Sequence, residues 1–156
     1  MNAERLARIL VSTLAASWSL SCFAAPAAPK CSLLTRDEVE QAIGPNDGGK
    51  SELTNQWALQ GCRWTATGTK QGAPAGWHDA IEVAMFDELR TSWAREQATG
   101  EPVQGLNGAK YNASSGDLWF DCAGSRVCVI KVRTASSSGR EDTAKRLAHA
   151  IAARVR

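Results

Sequence analysis

Apolar residues recur along this chain in two rhythms, and the rhythms alternate. Val39, Ala42 and Ile43 fall on one face of a helix, while Ile81, Val83 and Met85 alternate with Glu82 as a strand requires. The helix around Val39 is the best punctuated element. Thr35-Arg36-Asp37-Glu38 has the form of a capping box, Leu34 and Val39 supply the flanking apolar pair, and Gly44-Pro45 is a stop. Strands are expected at about 52–58 and 61–66, the second placing Cys62, Trp64 and Ala66 on one face. A Gly- and Pro-containing loop over 67–78 leads to the strand of Ile81. Asp87 is placed to cap a helix over about 88–98, with Leu89 and Trp93 one turn apart.

After a Gly-rich connection at 100–108, three strands are expected at 109–113, 117–122 and 127–133, joined by tight turns. Ser138 and Glu141 have the spacing of a second capping box. The helix behind them carries Ala144, Leu147, Ala148, Ile151 and Val155 at helical spacing, with Lys145, Arg146, Arg154 and Arg156 facing water. The order is α-β-β-β-α-β-β-β-α. Hairpin-connected strands between helices predict an α+β fold, a mainly antiparallel sheet packed against helices.

The first 24 residues follow a different logic. Arg5 and Arg8 precede a 12-residue apolar run, Ile9 to Leu20, too short to span a bilayer that needs about 20 residues. This reads as a secretory signal, with small residues at Cys22 and Ala24 favouring cleavage after Ala24. The alternative is lipidation of Cys22 after Ser19-Leu20-Ser21, which would tether the domain to a membrane through residues 23–30. Either way, 25–30 is a short lead-in and 31–156 a single domain, long enough to hold a core.

Past the leader four cysteines remain: Cys31, Cys62, Cys122 and Cys128. An even number in an exported domain reads as two disulfides. Strand parity points Cys122 and Cys128 to the inner face on either side of one tight turn, so they pair with each other and leave Cys31 for Cys62. In the chain-entropy picture the longer loop contributes about 3.5 kcal/mol and the shorter about 2.4 kcal/mol. A metal site is disfavoured, because the Cys122–Cys128 spacing is not C-x-x-C and no histidine lies near.

With the cysteines committed to structure, little catalytic chemistry remains. The net charge is only +2 and no basic stripe stands out, which argues against nucleic acid as a partner. His149 falls on the polar side of the last helix. His78 stands in Trp77-His78-Asp79, where an Asp-oriented imidazole would serve a small hydrolase, but neighbours on a strand point to opposite faces. No nucleophile elbow, calcium loop or phosphate cradle is present, and no cofactor is implied. What remains is aromatic. Five of six tryptophans lie past the leader, and Trp119 sits on the face opposite Leu118 and Phe120. If no helix covers that face, Trp119 is exposed and marks a binding surface, with Trp77 and His78 beside it.

The segment from Cys31-Ser-Leu-Leu-Thr to Gly44, followed by Cys62-Arg-Trp64, resembles a pattern in small secreted bacterial proteins and lipoproteins of unknown function. Val103-Gln-Gly-Leu-Asn-Gly-Ala109 resembles their connection into the final hairpins. The resemblance implies a PsbP-like α+β sandwich and an envelope location, and brings no catalytic residues with it. This chain departs from it in a weak lipobox and in Asn107-Gly108, where the pattern has Gly-Asp.

The expectation is therefore a periplasmic or envelope-attached binding protein with a protein partner, for which an inhibitor or immunity-type protein fits. The alternatives are a hydrolase using His78 and Asp79, and a lipid-tethered component of an envelope assembly. Membrane contact is expected only if Cys22 is lipidated.

Overall fold

The computed structural model describes residues 31–52, 58 and 60–155. The leader cut after Ala24, the 25–30 lead-in and lipidation of Cys22 lie outside these residues, as do positions 53–57 of the expected first strand and Arg156.

Helix α1 (Arg36–Ile43) starts as its sequence dictates. The Glu38 N–H donates to the Thr35 hydroxyl at 3.3 Å, and the Thr35 N–H donates to the Glu38 carboxylate at 2.7 Å. Two N–H groups that a helix start would leave unmet are thereby satisfied. Gly44, at φ +79°, turns the chain out of the helix.

Among the described residues, seven strands form one antiparallel sheet. They are β1 (Lys50–Ser51), β2 (Gln60–Thr65), β3 (Ala80–Phe86), β4 (Glu101–Pro102), β5 (Lys110–Asn112), β6 (Asp117–Ala123) and β7 (Arg126–Arg133). Their spatial order is β1-β2-β3-β7-β6-β5-β4. Helices α2 (Thr91–Gln97) and α3 (Arg140–Arg154) complete the fold. The α+β class and the order helix, strands, helix, strands, helix are as the sequence predicts, with the two-residue β4 added inside the Gly-rich connection. There Gly100 sits at φ +111°, where a Cβ would lie 2.1 Å from the Tyr111 carbonyl oxygen, so only glycine fits.

The sheet is covered on both faces, unequally. The inner face, with Ile81, Val83, Phe120 and Ile130, packs against Val39 and Ile43 of α1 and Leu147 and Ile151 of α3. The outer face packs Ala84, Phe86, Trp119, Val127 and Val129 against Ala94 of α2 and Ala98. Strand β3 lies between the layers and is buried along its whole length. Its sequence is apolar apart from Glu82 for that reason.

Both disulfides are those parity selects: Cys31–Cys62 ties the chain before α1 to β2, and Cys122–Cys128 closes the β6–β7 hairpin. Disulfides of this kind belong to a non-reducing compartment. Among the described residues, no helix is long and apolar enough to cross a membrane.

Four expectations need correction. Trp119 is only 8 % exposed, because α2 covers that face and the Trp119 ring stacks on Phe86 at 5.7 Å. Leu89 is 89 % exposed, because Asp87 caps a 3-10 turn (Glu88–Arg90) before α2 and the helical phase restarts at Thr91. The Ser138–Glu141 capping box does not form. Gly139, at φ +75°, occupies the N-cap position without a side-chain cap, while the Ser138 N–H donates to the Ser136 hydroxyl. Arg154 does not simply face water: it donates to the Leu33 carbonyl at 2.6 Å and to Glu38 at 2.5 Å, fastening the end of α3 to the start of α1.

Candidate functional site

Helix α2 is about two turns long, and it covers only the Phe86 end of the outer sheet face. The other end carries charge. Register places Arg63 of β2 beside Glu82 of β3, Glu82 beside Lys131 of β7, and Lys131 beside Asp117 of β6. Charges alternate across four strands, with neighbours about 4.8 Å apart. Arg63 Nη1 lies 3.6 Å from Glu82 Oε1, Arg133 Nε lies 3.4 Å from the same oxygen, and Lys131 Nζ lies 3.4 Å from Asp117 Oδ2.

Exposure separates the signs. The side chains of Glu82 and Asp117 are 10 % and 15 % exposed, whereas those of Arg63 and Arg133 are 42 % and 49 % exposed. The acids form a floor and the arginines stand above it. The surface offered to solvent is cationic even though the row itself is mixed.

Two hollows adjoin on this face. One, of about 430 Å³, runs from Phe86, Trp93 and Trp119 to Glu82, Lys131 and Arg133. The other, of about 330 Å³, is lined by Arg63, Thr65, Trp77, His78 and Arg133. Arg133 lines both and joins an aromatic end to a cationic end.

Asp79 holds Trp77 and its loop in place. Its Oδ1 accepts from the Trp77 indole N–H at 3.1 Å and from the Ala135 N–H at 2.8 Å, and its Oδ2 lies 2.7 Å from Lys70 Nζ. Desolvation pushes this carboxyl up, but hydrogen bonds from Lys70, the Ala135 backbone and Trp77 together hold it below the usual carboxylate range. His78 Nδ1 lies 3.0 Å from the Ala66 carbonyl. A carbonyl oxygen only accepts, so this nitrogen carries the proton. The two side chains therefore have separate partners, and no hydrogen bond joins them into an acid–base dyad. His78 is exposed and Asp79 buried, as adjacent residues entering a strand should be.

Of the sequence-selected residues, Trp77 and His78 share one hollow, and Trp119 forms a buried wall of the other. Arg63, Glu82 and Arg133 were not selected. Their signal was present: Glu82 is the single charge in a buried apolar strand, and Arg63 and Arg133 stand directly beside core residues Trp64 and Val132. Among the described residues, no group of three or more His, Cys, Asp and Glu is placed to hold a metal ion.

In comparisons with known proteins, no family model, no curated protein and no solved structure matches this chain.

Proposed function

We propose that this protein is a non-catalytic binding module that works in the periplasm or as a secreted protein, and that it grips a protein partner along the open half of its outer sheet face. The observation that carries this reading is the joined pair of hollows, aromatic at Phe86 and Trp93 and cationic at Arg63 and Arg133. Interfaces are enriched in aromatic residues and arginine, which fits this composition better than a merely solvated sheet face does. The bonding of His78 and Asp79 to separate partners favours binding over hydrolysis. The four paired cysteines and the Arg5/Arg8 leader support export.

The reading is tested with a photo-crosslinking residue at Gln97, on the wall of the aromatic hollow, and at His149, exposed on α3. In an envelope extract of the host, position 97 is expected to label one protein that position 149 does not. That protein, once purified, is expected to bind in a two-component titration. Equal labelling from both positions, or none from position 97, overturns the reading. Intact mass without reductant separates cleavage after Ala24 from lipidation of Cys22.

A further inference from the structure

We infer that Arg63 and Arg133 form a carboxylate-reading subsite, which takes an Asp or Glu side chain from an extended acidic segment of the partner, against the Trp77 indole. The inference rests on the reading of this face as the binding face and names the chemistry that the face selects.

The two guanidinium groups converge on one oxygen of Glu82, at 3.6 Å and 3.4 Å. Neither distance is a hydrogen bond, which requires about 2.7–3.2 Å between N and O. Among the described residues, neither arginine makes any other hydrogen bond or ion pair. Each side chain therefore keeps its planar fork of five N–H donors, and nearly half of each is exposed. A planar fork matches a carboxylate through two parallel hydrogen bonds, which a lysine ammonium cannot do.

Two other arginines among the described residues show the contrast. Arg140, which borders the same face, spends its guanidinium on Thr134 and Ser136, and Arg154 spends its own on Leu33 and Glu38. Arg63 and Arg133 are set apart by having donors to spare over a shared hollow.

The buried acid beneath them fixes the valence. Glu82 contributes one negative charge against two positive ones, so the subsite is left with a net charge near +1. A singly charged carboxylate balances that, whereas a phosphate dianion would bring one charge too many into a partly desolvated place. Lys131 is balanced by Asp117 and adds no second unpaired cation. The chain as a whole carries only +2, far from the stripe that tracking a nucleic-acid backbone requires.

The neighbours suit a peptide. Trp77 is fixed by its bond to Asp79 and offers the hollow a rigid flat wall. Thr65 adds a hydroxyl that can donate or accept. Toward α2 the face turns aromatic, at Phe86 and Trp93. A segment with a carboxylate followed within a few residues by a large apolar side chain would meet both ends.

The test is a peptide-display selection against the purified mature protein, disulfides intact. Wild-type protein is expected to enrich sequences that pair Asp or Glu with an aromatic or aliphatic residue, and binding of the enriched peptides should fall with added salt. Arg63→Met and Arg133→Met keep the apolar stems and remove the forks. Each should weaken those peptides by about tenfold or more, since a hydrogen bond to a charged group is worth about that factor. Glu82→Gln should act in the opposite direction, tightening acidic peptides several-fold and admitting phosphopeptides. A purely structural role for Glu82 would not produce that gain, and it stays readable if an arginine variant folds poorly.

Enrichment without acidic residues, or acidic peptides that bind Arg63→Met and Arg133→Met unchanged, overturns the carboxylate subsite while leaving the binding face standing. Competition by inorganic phosphate well beyond that by acetate overturns it in favour of a phosphate ligand. Failure to enrich any peptide that Gln97→Arg weakens overturns both readings.

Discussion

The indole N–H of Trp77 donates to Asp79 Oδ1 at 3.1 Å, and this bond fastens the 67–78 loop to the first turn of the chain into β3. The same oxygen accepts from the Ala135 N–H at 2.8 Å. One buried carboxylate thus joins the loop before β3 to the linker after β7. Asp79→Ala would leave two N–H donors without their partner, at about 1–3 kcal/mol each. We expect urea unfolding to report a loss of at least about 2 kcal/mol, together with a changed Trp fluorescence spectrum of the folded protein. An unchanged midpoint would mean that the loop is held by something other than Asp79.

Acid should loosen the molecule through the same carboxylate and one other. Glu38 is pushed up by desolvation, but hydrogen bonds from Arg154 and from Thr35 hold it below its ordinary value. Asp79 is likewise depressed. A carboxyl depressed in the folded state contributes stability that is present above its unfolded value, near pH 4, and lost as pH falls through the folded value. The melting temperature should therefore be nearly level from pH 7 to about 5 and fall below about 4. The double variant Glu38→Gln/Asp79→Asn should start lower at pH 7 and show a shallower acid limb. An acid limb as steep as that of the wild type would assign acid lability to other groups.

What the sequence made legible was local. The Thr35–Glu38 box needs only four consecutive residues, and both of its bonds are present. Cys122 and Cys128 flank one turn, so strand parity alone pairs them. The failures are of two kinds. Ser138 has the right spacing to Glu141, but Gly139 adopts a positive φ that serine rarely takes, and the helix starts one residue later. Trp119 and the Arg63–Arg133 pair fail for a different reason. Parity put Trp119 on the correct face, yet whether α2 covers that face depends on how a helix 26 residues earlier docks, since Trp93 precedes Trp119 by that distance. Arg63 and Arg133 meet only because β7 inserts beside β3, and such non-local pairing leaves no periodic trace in either segment.

The burial of Trp119 changes what its substitution measures. It stacks on Phe86 at 5.7 Å, and Phe86 in turn meets the Trp93 ring at 5.6 Å. Trp119→Ala should cost about 3–5 kcal/mol, as aromatic truncations in cores do. Any loss of partner binding in that variant should disappear when binding is scored per folded molecule. Persistent loss in fully folded Trp119→Ala would make Trp119 a direct contact after all. Chemical denaturation run beside the binding titration separates the two.

The disulfides should rank by the loops that they close. Cys31 and Cys62 are 31 residues apart and Cys122 and Cys128 only six, so the first bond removes more freedom from the unfolded chain. The difference amounts to about 1 kcal/mol in the chain-entropy picture. The hairpin bond also has less left to do, because β6 and β7 are already held by their ladder and by the core beneath Phe120 and Ile130. Cys31, by contrast, precedes α1, and the start of that helix is also fastened by the Arg154 contact with Leu33 and Glu38. We expect Cys31→Ala/Cys62→Ala to lower the melting temperature more than Cys122→Ala/Cys128→Ala. Adding Arg154→Ala should deepen the loss in the first background more than in the second. Equal losses in both backgrounds would show that the disulfide and the Arg154 contact act independently.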